Sequence, residues 1–213
     1  MGCRNMQDLV TILLGKTAEE KRFVVHKALA CHYSPVFNSA FNGDFQEGQA
    51  QTYHLEDTSK GAVQLLVQWI YMQKLDLNQF PQETRLGLKV HYVAQLWVLA
   101  DKLLIPRLQN AAAEEIATQR FNSGKIPTWS LNYVYENTGR GSPLRRLFIR
   151  LCAPALCDRQ LPDFYTRHPD KFTKEMLLEL ADFLTDVLLH GTDITMLKRG
   201  EYFRIMSFEV LES

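Results

Sequence analysis

The stretch Phe23-Val24-Val25-His26-Lys27-Ala28-Leu29-Ala30-Cys31-His32-Tyr33-Ser34-Pro35-Val36-Phe37 changes its period part-way along. Phe23 to His26 reads as a strand, rich in β-branched and aromatic residues. From His26 onward Ala28, Leu29 and Cys31 follow a helical spacing that runs into Ser34-Pro35. A serine before a proline marks a helix start. The hydroxyl can accept an orphaned backbone N–H, and proline sits where its missing donor costs nothing. The new helix carries Val36, Phe37, Ala40 and Phe41 and ends at Asn42-Gly43. Upstream, Leu9 to Leu14, closed by Gly15, fits a strand buried on both faces. A polar turn through Thr17 to Arg22 then joins the two strands as a hairpin.

Downstream, Phe45-Gln46-Glu47-Gly48 reads as a connector to a third strand, in which Tyr53 and Leu55 alternate with Thr52, His54 and Glu56. Ala62, Leu65, Leu66, Trp69 and Ile70 share one helical stripe, with Lys60, Gln64 and Gln68 opposite. Leu75 to Leu77 reads as a short strand and Asn78 to Thr84 as a loop centred on Pro81. Leu88 to Leu104 predicts a long apolar-rich helix, and Pro106 opens another through Leu108, Ala112 and Ile116.

After Asn122-Ser123-Gly124 the chain reads as helical without strands. Ser130 is the expected cap of Leu131 to Asn137. Ser142-Pro143 starts a helix with Leu144, Leu147, Phe148 and Leu151 inward, which Pro154 is expected to close. Pro162 and Pro169 bound a connecting segment. Thr173 then caps a helix with Met176, Leu177, Leu180, Phe183, Leu184 and Val187 on one stripe, ended by His190-Gly191. No repeat of about 20 to 50 residues is visible, which sets aside solenoids and propellers.

The 213 residues weigh 24.6 kDa and carry 24 Lys+Arg against 24 Asp+Glu. A folded chain of this length buries about 70% of its unfolded surface, so disorder is not the expectation. Zero formal net charge argues against a nucleic-acid binder, which needs a clustered basic excess. The densest basic stretches, Arg140 to Arg150 and Lys198 to Arg204, read as solvated helix faces. No apolar run reaches the roughly 18 residues that span a bilayer, and the first residues lack the order of a signal peptide. Met1-Gly2-Cys3 suggests dual acylation, but Met6 stands where a myristoylation signal wants Ser or Thr. A soluble cytoplasmic or nuclear protein without membrane attachment is expected. Cys3, Cys31, Cys152 and Cys157 lack zinc-site spacing and read as reduced thiols, with no metal or other cofactor.

Taken in order, several of these segments resemble the BTB/POZ family. They are Asp8-Leu9-Val10-Thr11, Phe23 to Ala30, Ser34-Pro35-Val36-Phe37 with Phe41, Trp69-Ile70-Tyr71, and Ala100-Asp101-Lys102 with Ile105-Pro106-Arg107-Leu108. The resemblance covers residues 6–118 and implies an α+β fold, a small three-stranded sheet capped by helical hairpins. Residues 125–191, with Tyr135-Glu136-Asn137-Thr138 and Ser142-Pro143-Leu144-Arg145-Arg146-Leu147, look like the all-helical extension of many fungal BTB proteins. Residues 192–213 form a tail without assignment.

The resemblance implies a protein-interaction module that binds either itself or the cullin-three scaffold of ubiquitin ligases, as a substrate adaptor. The second role uses a hydrophobic-x-acidic motif after the helix that follows Ser-Pro. Phe45, Gln46 and Glu47 stand there, an aromatic anchor beside a carboxylate. The alternative is that Phe45 tucks into its own core and Glu47 is merely solvated. For a homodimer, Asp8 and Lys27 match the acidic and basic residues of the family's interface. The long dimeric form carries a further strand and helix before Asp8, where seven residues stand here, which counts against a domain-exchanged dimer. A self-associating or heteromeric scaffold outside ubiquitin chemistry is the second reading.

His26, at a strand-to-helix junction, reads as structural, its imidazole satisfying buried backbone groups. Trp69 and Tyr71, each with a polar tip, suit the margin of a core. An enzyme of unfamiliar type, centred on Cys31 or Ser142, is the remote reading. Cys31-His32 are helix neighbours pointing about 100° apart. Gly139-Arg140-Gly141-Ser142 lacks phosphate-loop spacing and reads as capping. His54, His91, His168, His190, Asp57, Asp101 and Asp158 have no catalytic context.

Overall fold

The strand β1 (Leu9–Leu14) is the middle of the sheet in the computed structural model, which describes residues 7–15, 21–157 and 169–190 apart from the side chains of 154–157. It pairs antiparallel with β2 (Lys21–His26), Leu9 opposite His26 and Leu14 opposite Lys21. On its other side it runs parallel to β3 (Thr52–Leu55), Thr11 opposite Thr52 and Leu14 opposite Leu55. A central strand has its backbone bonded on both edges, and Val10, Ile12, Leu13 and Leu14 are buried; burial on both faces holds from Ile12 on, whereas Leu9 is exposed and Thr11 half-buried.

The chain divides into two units. One holds the residues up to Gln82 with Gln95–Ala112; the other holds Glu83–Ala94 and the residues from Ala113 on.

In the first unit, β2 runs directly into α1 (Lys27–Tyr33), and Ser34 both ends α1 and starts α2 (Pro35–Asn42). Its N–H donates to the Ala30 carbonyl at 3.1 Å, closing one helix. Its hydroxyl accepts the Phe37 N–H at 3.1 Å, capping the next, and donates to the Leu103 carbonyl at 2.7 Å. Then come the short α3 (Gln46–Ala50), β3, and α4 (Lys60–Met72), capped by Ser59, whose hydroxyl accepts from Ala62 N–H. The α4 stripe Ala62, Leu65, Leu66, Trp69 and Ile70 is buried. Trp69 lies deep in the core, edge-on to Tyr33 at 5.2 Å, and not at its margin, whereas Tyr71 is exposed. The Tyr71 hydroxyl accepts the His26 N–H at 3.0 Å and meets His26 Nδ1 at 2.7 Å. The backbone amide at the junction is therefore satisfied by Tyr71, and the imidazole bonds to the phenol.

Two expectations in this unit give way. Leu75 to Leu77 is not a strand: the Asp76 N–H donates to Gln68 Oε1, and the Asp76 carboxylate caps a 3-10 turn at Leu77–Gln79. Residues after Phe45 form α3 and not a plain connector.

Two long helices, α5 (Leu86–Lys102) and α6 (Pro106–Ser123), contribute residues to both units. Leu104 between them has φ 54°, and the Ile105 N–H reaches back to the Ala100 carbonyl at 2.9 Å, a left-handed helix ending held by hydrogen bonding.

The second unit contains α7 (Leu131–Asn137), α8 (Pro143–Cys157) and α9 (Lys174–His190). The Thr173 hydroxyl accepts the Met176 N–H at 3.1 Å and caps α9 as expected. Ser130 does not cap α7. It belongs to the 3-10 turn Thr128–Ser130 and has helical dihedrals, so its buried hydroxyl has no partner. The Ser142 hydroxyl is likewise buried and unpartnered, and the turn before α8 relies on Gly141 at φ 81°. Helix α8 continues through Pro154 to Cys157; one lost N–H donor is not enough to end it. Its inward set of Leu144, Leu147, Phe148 and Leu151 is buried. On α9, Met176, Leu180 and Val187 are buried, with Phe183 and Leu184 packed on Ile149 and Ala153. Leu177, about 100° round the helix from Met176, faces outward.

Arg145 overturns the reading of Arg140 to Arg150 as a solvated face. Its side chain is 4% exposed and pairs with Glu175 at 2.7 Å and Glu179 at 3.3 Å, both on α9. The same guanidinium donates to the Tyr135 carbonyl at 2.8 Å, to Thr138 Oγ1 at 3.1 Å and to the Thr138 carbonyl, capping the C-terminal end of α7. It also lies over the Tyr135 ring, 4.4 Å from its centre. The Tyr135 hydroxyl donates to Glu179 at 2.9 Å. Burial, and then that bond and the charge of Glu179, push its pKa far above the usual phenol range.

Cys3, Asp158, His168, the Pro162 segment, Gly191, Lys198 to Arg204 and the 192–213 tail lie outside the described residues.

Candidate functional site

The turn that carries Phe45, Gln46 and Glu47 is shaped by two glycines. Helix α2 ends where the Gly43 N–H donates to the Ser39 carbonyl at 3.0 Å. A Cβ on Gly43 would lie 2.7 Å from that carbonyl oxygen. The Phe45 carbonyl then accepts the N–H groups of Gly48 at 3.0 Å and Gln49 at 3.1 Å, which winds α3. A Cβ on Gly48 would lie 2.1 Å from the Gly43 carbonyl oxygen, so only glycine lets the two turns approach this closely. Gln51, at φ 48°, ends α3, and its side-chain amide donates to the carbonyls of Gly48 and Phe41.

The consequence is a fixed presentation. Phe45 is 67% exposed, its ring edge resting near Gly43, so it does not tuck into the core. Gln46 is exposed and Glu47 half-buried in the first turn of α3. Burial of Tyr53, with the charge of Glu47 adding to it, raises the Tyr53 pKa. An exposed aromatic beside a carboxylate on a turn held by backbone hydrogen bonds offers an apolar anchor with a polar rim.

Asp8 and Lys27 are brought together through the backbone: the Lys27 N–H donates to the Asp8 carbonyl at 2.8 Å. The Lys27 ammonium donates to the Phe41 carbonyl at 2.9 Å, at the C-terminal end of α2, where a cation is favoured. Lys27 and Gln51 thus share one acceptor, which ties the start of α1 to the Phe45 turn.

The residues weighed for catalysis do not converge among the described residues. Cys31 is buried, with its sulfur near the Phe37 carbonyl and Asn42 Nδ2, while His32 is exposed against Tyr33. His54 and Asp57 are exposed; Asp101 accepts from Gln109 at 3.0 Å, and His190 pairs with Asp186. His91 stands edge-on to Tyr133 at 5.2 Å, and burial lowers its pKa. Burial pushes the Cys152 thiol up to about 12 against the opposing pull of Arg120, far from a reactive thiolate. Among the described residues no three His, Cys, Asp or Glu side chains gather as a metal site would need. No helix there is long and apolar enough to cross a membrane.

A family model described as the BTB/POZ domain matches residues 4–120. The chain is also similar to Armadillo BTB Arabidopsis Protein 1 of Arabidopsis thaliana, with 24% identity over 188 residues, 86% of this chain and 22% of that protein. It therefore spans about a fifth of that relative's length.

Proposed function

Because the chain belongs to the BTB/POZ family, a family of protein–protein interaction modules, we propose that it acts without catalysis as an adaptor whose Phe45–Glu47 turn docks on a cullin-three-type scaffold. The observation that supports this reading is the 67% exposure of Phe45 at the head of α3, with Glu47 two residues on in the first turn. Leaving a phenyl ring in water costs about 1.5–3 kcal/mol relative to burying it, which a partner's pocket would recover. The adaptor's substrate would be held elsewhere on the protein.

Titration calorimetry of the chain against the N-terminal domain of a cullin-three scaffold tests the reading. Micromolar or tighter binding is expected, weakened about tenfold or more in Phe45→Ala and in Glu47→Lys. Phe45 is exposed and Glu47 half-buried at the surface, so far-ultraviolet circular dichroism should stay that of the wild type. Equal heats from wild type and both variants, or none from any of them, would reject the contact.

A second reading, self-association, is supported by Leu9 and Val24. These apolar side chains are 53% and 55% exposed and lie on the same side of the β1–β2 pair.

A further inference from the structure

The second unit holds a cleft of about 610 Å³. Leu86, Val90, Ile116, Ile126 and Pro127 give it an apolar lining, and Trp129 stands among them 55% exposed. The indole lies against Gly87, where a Cβ would come to 3.4 Å from its Cγ atom, so it is braced by backbone while much of it stays open to solvent. Three cations, Arg85, Arg120 and Lys125, also line the cleft, and among the described residues no carboxylate does.

The lip is built to hold its shape. The Lys125 N–H donates to the Ser123 hydroxyl at 3.2 Å, and Gly124 supplies the positive φ of 66° that turns the chain out of α6. The Thr128 N–H donates to the Ile126 carbonyl at 2.9 Å, and the Ser130 N–H to the Pro127 carbonyl at 3.2 Å. Arg120 Nε donates to the Leu151 carbonyl at 3.5 Å, which places its guanidinium. A partner would spend little free energy on ordering such a lip.

We propose that this cleft binds an acidic linear peptide of a partner protein, one large apolar side chain of the peptide packing on Trp129 and its carboxylates facing Arg85, Arg120 and Lys125. Charge decides the occupant. A wholly apolar segment would desolvate three cations without supplying an opposite charge, and a basic one would be repelled. A nucleic acid fits less well, because three cations engage few phosphates and the lining is mainly apolar. Tryptophan and arginine are the side chains that most often carry binding energy at such contacts. The site uses none of the residues of the Phe45 turn and stands independently of the cullin reading.

The test is fluorescence anisotropy of the full chain with fluorescein-labelled acidic peptides about ten residues long, each with a single Leu, Phe or Trp. Lysine-for-acid versions and a single-stranded oligothymidylate serve as comparators. The acidic peptides should bind and the lysine versions should not. Trp129→Ala should weaken binding about tenfold or more, and Arg85→Glu with Lys125→Glu should weaken it similarly and flatten its salt dependence. Phe45→Ala/Glu47→Lys should bind the peptides as the wild type does, which separates this site from the scaffold contact. Failure of every acidic peptide to bind, binding undiminished in both cleft variants, or preference for the oligonucleotide would overturn the proposal.

Discussion

At Arg145 five donors of one guanidinium meet two carboxylates and the last turn of a helix, so charge and backbone capping depend on a single side chain. A buried pair of this kind adds little over a well-packed apolar replacement of all partners, but removing one member leaves the others stranded. Arg145→Met should therefore cost about 3–5 kcal/mol, read as a shift of the urea midpoint at constant slope. Arg145→Lys should recover little of it, because an ammonium keeps the charge but cannot fork between α7 and α9. A loss under about 1 kcal/mol in both variants would show that the network is not needed. The sequence did hold a hint of this burial. Ile149 and Cys152 lie four and seven residues after Arg145 and are buried, so the arginine shares their face of α8. What could not be read is the partner set, since Glu175 and Glu179 lie 30 and 34 residues away.

Among the elements, α2 depends most plainly on one hydroxyl. Ser34 is fully buried, and its oxygen accepts within its own helix and donates to Leu103, 69 residues away. Ser34→Ala should lose the cap and orphan a carbonyl, for a total of about 2 kcal/mol, measurable by thermal or urea unfolding. Ser34→Thr, which keeps the hydroxyl, should lose less, and equal loss in the two variants would count against the hydrogen bonds as the cause. The cap was legible because serine before proline has a local mechanism. Helix α3 was not, because Gly48 is a poor helix former and its place is set by the Gly43 carbonyl, five residues back along a folded turn. Leu75 to Leu77 failed as a strand for a similar reason. Its apolar pattern is strand-like, but the Asp76 amide is taken by Gln68, and at so short a length a single side-chain bond outweighs propensity.

For the whole molecule, the open question is assembly. On the self-association reading, sedimentation at roughly tens of micromolar should show a dimer, and Val24→Lys, which puts a charge on the exposed β1–β2 face, should shift it to monomer. A monomer at every concentration for the wild type would end that reading. By itself the sequence determined the order of strands and helices apart from α3 and Leu75 to Leu77, the α+β class with its helical extension, and the family, because periodicity, caps and turn residues act over a few positions and are written where they act. Only the tertiary structure decided which polar residues go inside and which apolar ones stay out. It buried Arg145, left Phe45 and Trp129 in solvent, and gathered Arg85, Arg120 and Lys125 around one cleft. The Arg145 pairs and the seat of Trp129 on Gly87 join residues tens of positions apart, and no local window of sequence contains them.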